Sequence, residues 1–166
     1  ARVALVQKIG ENIQVRRAEL VEGALLASYR HGIKIGVVVA MEGGSEELAK
    51  DIAMHIAAAK PEAVTPEEVS PAVIAKEREI AAAKAAESGK PANIVEKMVE
   101  GAVKKYLSEV SLIDQAYVKE PDMKVAQLLA KHSAKVTRFV RLEVGEGIEK
   151  KEVDFAAEVA AAVAAK

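Results

Sequence analysis

The three histidines of this sequence could suggest a metal site or a general base. No His-x-x-x-His or Glu-x-x-His spacing pairs His31, His55 or His132, although a helical metal site usually needs such a spacing. His55 falls on the apolar stripe of a predicted helix, which favours a ring that is satisfied within the core. His132 ends a predicted helix, where a cation is favoured in any case. The sequence therefore predicts no metal site and no cofactor.

His31 stands in a predicted hairpin turn, where an exposed ring suits a contact residue better than a ligand. An enzyme that uses His31 as its general base would need a concave pocket around the ring, and a turn disfavours that geometry. On the residues alone, a protein-interaction module is favoured over an enzyme.

Two glycine-containing segments superficially resemble phosphate-binding loops. Residues 145–150 (GEGIEK) lack the third glycine of a dinucleotide fingerprint, and Glu146 and Glu149 lie where an anion would have to bind. Residues 88–91 (SGKP) lack the upstream glycine and the following hydroxyl residue of a P-loop. The chain has no cysteine, which excludes a thiol nucleophile, a disulfide framework and a zinc ribbon. None of these segments predicts an active site.

The composition excludes further classes of function. The 166 residues are 51% hydrophobic and 30% charged, with a formal net charge of -1, so a folded core is expected and a broad basic nucleic-acid surface is not. Aromatic residues make up only 3% of the chain, which leaves few rings to stack on bases. No apolar run is long enough for a membrane span, and the start lacks the apolar core of a signal peptide. These features predict a cytoplasmic protein.

The first part of the chain shows helical spacing over 3–9, which ends at Gly10, and then a strand-like pattern from 13 to 41. A turn at 30–32 divides the strands, with Gly32 able to take a positive φ. Ile33, Ile35, Val37 and Val39 are expected on one face of the second strand. Because Val38 adds a second apolar face, this strand is predicted to be central.

The rest of the chain is predicted to be mainly helical, with one more strand. Ser45 is a predicted N-cap for a helix that ends at Pro61. The later predicted elements are a helical hairpin over 71–110, a loop over 114–121, a short helix, a strand over 136–144 with Val136, Val140 and Val144 on one parity and Phe139 on the other, and an alanine-rich helix over 152–166. This order predicts an α+β fold with two layers: a three-stranded antiparallel sheet covered by helices, a protruding helical hairpin and a C-terminal helix.

Seven segments make the chain resemble bacterial translation elongation factor Ts. They are residues 8–17 (KIGENIQVRR), 31–37 (HGIKIGV), 52–58 (IAMHIAA), 89–91 (GKP), 96–101 (EKMVEG), 144–150 (VGEGIEK) and 154–160 (DFAAEVA). They occur in the order and at the spacing of that family, so the resemblance covers essentially the whole chain.

The resemblance implies a domain organisation and a partner. Residues 1–22 would end the first core subdomain, 23–145 would form the second, dimerisation-type subdomain with the hairpin 71–110, and 146–166 would be the C-terminal helical module. The family is the guanine-nucleotide exchange factor of the GTPase elongation factor Tu. By this resemblance the partner-binding residues are Ile9, His31, Tyr117, Val118, Lys119 and Phe155.

The resemblance also bears on activity. The family's small N-terminal module and its Thr-Asp-Phe motif are expected upstream of Ala1, so the chain is read as a piece of a longer protein. Asp154-Phe155 is not a substitute for that motif, because it begins the last predicted helix and its ring is expected to pack inward. We therefore expect this piece to bind the GTPase and to self-associate, but to lose most exchange activity. The alternative is an oligomerisation or scaffold module, a homodimer formed through the hairpin, without exchange activity.

Overall fold

The computed structural model describes residues 1–148, which form a three-stranded sheet, a smaller two-stranded sheet and five α-helices. The elements follow each other as α1 (Arg2–Ile9), β1 (Leu25–His31), β2 (Ile35–Glu42), α2 (Glu46–Ala59), α3 (Pro71–Ala86), α4 (Ala92–Val110), β3 (Ala116–Tyr117), β4 (Glu120–Lys124), α5 (Val125–Lys131) and β5 (Lys135–Glu143). The α+β class and the antiparallel three-stranded sheet are thus confirmed. The predicted C-terminal helix lies outside the described residues.

The larger sheet has the order β1-β2-β5 and both of its pairs are antiparallel. The prediction that the second strand is central is confirmed, because β2 pairs on both sides. Its residues Val37, Val39 and Met41 are at most 2% exposed and face α2. Alternation in β2 therefore selects the side of the sheet on which the core forms.

Helix α2 covers this face of the sheet. Ser45 caps it as predicted: its Oγ accepts a hydrogen bond from the backbone N–H of Leu48 at 3.2 Å, which satisfies one of the free donors of the first turn. Leu48, Ile52 and Ile56 form the buried stripe of the helix, in contact with the apolar side of β2. Burial of such side chains contributes about 1.5–3 kcal/mol each.

Strand β5 carries a change of register that the sequence pattern does not show. Met41 pairs with Val136 whereas Ala40 pairs with Arg138, so Thr137 has no partner of its own. Such a β-bulge switches which side chains face the core. Val136 is 2% exposed and Phe139 packs partly against the same cluster, so the prediction that they lie on opposite faces is wrong.

Three further expectations need correction. Residues 10–24 form no strand, because their alternating residues have no partner strand within residues 1–148. Ile33 lies in the turn after β1 and is 94% exposed, so it does not share the apolar face of β2. The predicted loop over 114–121 contains β3 and the start of β4, which pair as a small hairpin.

The predicted helical hairpin is confirmed as α3 and α4. Its seam is made of small and β-branched residues, with Ala81, Ala85 and Val99 buried in a cluster separate from the main core. Small side chains let the two helix axes approach closely. Between the helices, Gly89 turns the chain with φ 65°. In the part of the chain that the structure describes, no helix is long and apolar enough to cross a membrane.

Candidate functional site

A groove with an apolar floor lies beside the C-terminal half of α2, and three of the six residues that the family resemblance marks for partner binding line it. We call it the His31–Val118 groove. Its volume is about 580 Å³. Its lining comes from β1 (Tyr29, His31), β2 (Ile35), α2 (Met54, Ala57, Ala58), the β3–β4 turn (Val118, Lys119) and β5 (Arg141). Five separate elements thus have to fold before the groove exists.

One rim of the groove is the end of β1. His31 is the last residue of the strand and is exposed, as the sequence predicted for a turn residue. Its Nδ1 lies 3.3 Å from the hydroxyl of Tyr29, and the two ring centroids are 6.3 Å apart. Gly32 follows with φ 57°, the left-handed conformation that lets the chain reverse here. The pair forms a polar, aromatic edge of the groove.

The opposite rim is the two-residue turn between β3 and β4, made of Val118 and Lys119. The side chain of Val118 is 41% exposed and is the apolar group of this rim. Lys119 Nζ lies 2.6 Å from Asp51 Oδ1 in α2, and the lysine side chain stays 48% exposed, so its charge is paired within the chain at the surface. A short apolar group at a turn beside an apolar floor is a plausible anchor for another protein.

The far wall of the groove contains Arg141 of β5. Its side chain is only 8% exposed and its Nη2 pairs with Glu143 at 2.9 Å. Nε and Nη2 also point at the carbonyl of Ala57 at 3.4 and 3.5 Å. Glu146 lies next to this guanidinium, with Oε1 3.9 Å from Nη1. A buried cation is costly unless it is paired, and these contacts supply the pairing.

Glu146 also has basic neighbours on its other side. Lys60 Nζ lies 3.1 Å and Arg17 Nη2 lies 3.4 Å from its carboxylate. These contacts lower the pKa of Glu146, first through the hydrogen bond to Lys60, with Arg17 and the charge of Arg141 adding to it. In the segment 145–147, the carboxylate of Glu146 therefore pairs with basic side chains of the same chain.

Beneath the β3–β4 turn lies a buried histidine, His55, which is 0% exposed. Its Nδ1 accepts a hydrogen bond from the backbone N–H of Val118 at 3.3 Å. The other nitrogen, Nε2, lies 2.9 Å from Gln115 Oε1, an acceptor, so these contacts assign the ring proton to Nε2. Burial lowers the pKa of His55, partly opposed by the hydrogen bond to Gln115. The prediction of a satisfied core histidine is confirmed.

Gln115 completes this network and was not foreseen from the sequence. Its Nε2 donates to the carbonyls of Glu109 at 2.7 Å and Ala59 at 3.4 Å. The side chain thereby joins the C-terminal ends of α2 and α4 to His55. The only sequence signal was a single amide between Asp114 and Ala116, which is too common a pattern to identify a buried network.

Tyr117 occupies a different place from the one expected. Its side chain is 5% exposed and packs against His55, with ring centroids 5.9 Å apart. The hydroxyl donates to Asp51 Oδ2 at 3.2 Å. Burial raises the pKa of Tyr117 to about 12, with the charges of Asp51 and Glu120 adding to the effect. The ring therefore supports the turn from inside and offers little surface to a partner.

The six candidate residues are not all together. The structure brings His31, Val118 and Lys119 to one groove, whereas Ile9 lies at the end of α1, 44% exposed, outside that lining. Phe155 lies outside the described residues. Within residues 1–148, no group of three or more His, Asp or Glu side chains could hold a metal ion. What the groove can do chemically is bind a protein surface: it has an apolar floor and hydrogen-bonding rims.

Comparison with known proteins gives the family of this chain. The family model described as Elongation factor TS matches residues 1–146. A protein named Elongation factor Ts from Psychrobacter sp. (strain PRwf-1) is 62% identical over 99% of this chain and 56% of its own length. Relatives of the same name from Hahella chejuensis (strain KCTC 2396) and Francisella tularensis subsp. novicida (strain U112) are 61% and 59% identical, each over 96% of this chain.

The share of each relative that is covered is smaller, 56% and 55% for these last two. The chain therefore spans about half the length of the relatives it matches. The match nevertheless extends over nearly all of its own residues and includes every element that builds the groove. This chain belongs to the elongation factor Ts family.

Proposed function

We propose that this chain is part of a guanine-nucleotide exchange factor that binds the GTPase elongation factor Tu and promotes GDP release during translation elongation in the cytoplasm. The observation that carries the proposal is the groove. His31 and Val118 are distant in sequence, yet they form its two rims over the floor made by Ile35, Met54 and Ala57.

The proposed action is binding rather than covalent catalysis. An exchange factor works because it prefers the nucleotide-free form of the GTPase, and that difference in affinity shifts the population towards the form that has lost GDP. Such an action needs a surface and no nucleophile. Ile9 and Phe155 stay proposed contacts of the same partner at other places on the chain.

The proposal is tested by titrating the 166-residue chain into elongation factor Tu, once nucleotide-free and once bound to GDP, in a calorimeter. We expect tighter binding to the nucleotide-free form. His31→Ala and Val118→Ala should each weaken this binding about 5- to 20-fold, the range for truncating an interface anchor. Leu26→Ala, at a similarly exposed apolar position of β1 (46% exposed) outside the groove lining, is the matched control and should change it less than about twofold.

Equal affinity for the two forms of the GTPase would contradict the exchange-factor proposal. Equal losses for the groove variants and for Leu26→Ala would instead contradict the placement of the contact at the groove. Stimulated GDP release, measured with the same variants in a longer member of the family, then connects binding to exchange.

A specific observation supports the second candidate function, self-association through the hairpin. After α3 and α4 have packed on each other, Ile80, Ile94 and Met98 remain 37–39% exposed, and such an apolar surface can be a contact between copies. Sedimentation with and without the GTPase distinguishes the two functions. A homodimer that is unaffected by the GTPase, and that Met98→Glu dissociates, would favour the scaffold function.

A further inference from the structure

We propose that Asp51 and His55, two residues of α2, are positioning residues that present Val118 to the GTPase. This inference rests on the proposed function, because it concerns how one rim of the same groove is held. Neither residue has to touch the partner for the inference to hold: His55 is 0% exposed, and the side chain of Asp51 faces the turn.

The geometry consists of one set of contacts to three consecutive residues. Asp51 Oδ2 accepts from the hydroxyl of Tyr117 at 3.2 Å, and Asp51 Oδ1 accepts from Lys119 Nζ at 2.6 Å. Between them, His55 Nδ1 accepts from the N–H of Val118 at 3.3 Å. Because Asp51 and His55 are four residues apart on one helix, they lie on the same face. Every residue from 117 to 119 is therefore bonded to α2.

The turn needs such support because its own hairpin is too small to fix it. β3 has two residues and β4 has five, and the pairing between them is irregular at Ala116/Tyr117. A two-stranded hairpin is at best marginally stable by itself. Loop ordering that is completed before binding also removes a cost from association. The contacts from α2 thus order this rim before the partner binds.

The same contacts determine which side chain of the turn is available to a partner. The charge of Lys119 is paired with Asp51 and the ring of Tyr117 is buried, so the exposed apolar group that the turn offers is the isopropyl group of Val118. The inference therefore predicts that loss of Asp51 acts on partner binding only through Val118. A purely structural role for Asp51 would carry no such dependence.

The test is a double-mutant cycle on the whole 166-residue chain, with the dissociation constant for nucleotide-free elongation factor Tu as the readout. Asp51→Ala should weaken binding about 3- to 10-fold, and Val118→Ala about 5- to 20-fold. The double variant should be within about twofold of Val118→Ala alone, since contacting positions are not additive. Asp51→Asn, which keeps an acceptor for Tyr117, should regain part of the loss. Glu47→Ala, another acidic position of α2, is the control and should bind as the parent chain does.

Thermal melting of each variant tests whether the chain remains folded. The cycle uses Asp51→Ala because a change at buried His55 could unfold the chain. Losses that multiply in the double variant would overturn the positioning role while leaving the groove as the binding site. A Val118→Ala variant that binds as the parent chain does would overturn the groove itself and, with it, this inference.

Discussion

Replacing His55 by leucine removes the centre of the buried network under the β3–β4 turn while nearly conserving the apolar packing. The change leaves Gln115 Oε1 and the N–H of Val118 without their partners at 2.9 and 3.3 Å. A buried polar group that loses its partner costs about 1–3 kcal/mol, and the added apolar surface returns about 1 kcal/mol. Taking about 2 kcal/mol for each of the two groups and subtracting this return, we expect the free energy of unfolding to fall by about 3 kcal/mol.

Urea denaturation followed by circular dichroism measures this loss, which should appear as a lower midpoint at an unchanged slope. For a chain of this size the melting temperature should fall by about 5–15 °C. Gln115→Leu is the matched change on the other side of the bond, and the cycle of both variants should give a coupling free energy of about 1–2 kcal/mol. A loss below about 0.5 kcal/mol in His55→Leu, the usual effect of a surface change, would refute the reasoning.

Two further predictions concern pH and backbone conformation. Since burial holds the pKa of His55 below 6.5, the unfolded chain takes up a proton first as the pH falls. The contribution of His55 to stability should therefore be fully present above about pH 6.5. Below that pH the free energy of unfolding should fall by up to about 1.4 kcal/mol per pH unit, until the pKa of the folded state is passed. Urea midpoints measured between pH 7.5 and 5 check this, and His55→Leu should lack this pH-dependent loss. Gly43→Ala should destabilise by about 2–4 kcal/mol, because a β-carbon there would overlap the carbonyl of Ser133 at φ 70°. Gly32→Ala, with φ 57° and open space around it, should cost only about 1 kcal/mol of backbone strain; melting curves in which the two variants are equal would contradict the packing at Gly43.

The elements that sequence reasoning identified correctly are those whose signals are local. The bounds of α2 follow from the Ser45 cap and from Pro61, and the hairpin of α3 and α4 follows from helical spacing on both sides of Gly89. The central position of β2 followed from apolar residues on both of its faces. Each of these signals lies within about one element's length of the residues it describes.

The predictions that were wrong concern features that depend on a partner elsewhere in the chain. The bulge opposite Ala40 and Met41 reverses the parity of β5 only through its pairing with β2. The alternation at Ile13 and Val15 does not become a strand without a neighbour to pair with.

For the groove, the exposed residues His31 and Val118 were accessible through the family resemblance, whereas the side chains that hold them were not. Asp51 meets Tyr117 and Lys119 only after α2 and the β3–β4 hairpin are packed together. Nothing in the local pattern distinguishes Asp51 from the other acidic residues of α2. The resemblance placed Tyr117 at the partner surface, whereas in the structure its hydroxyl bonds to an acceptor on α2 and its ring is buried.

The central claim, that this chain binds the GTPase through the His31–Val118 groove, is tested most directly by amide hydrogen exchange of the chain with and without nucleotide-free elongation factor Tu. We expect added protection at residues 29–35 and 116–120, with the protection of 116–120 lost in Val118→Ala. Protection confined to the hairpin of α3 and α4, with exchange at the groove unchanged, would contradict it.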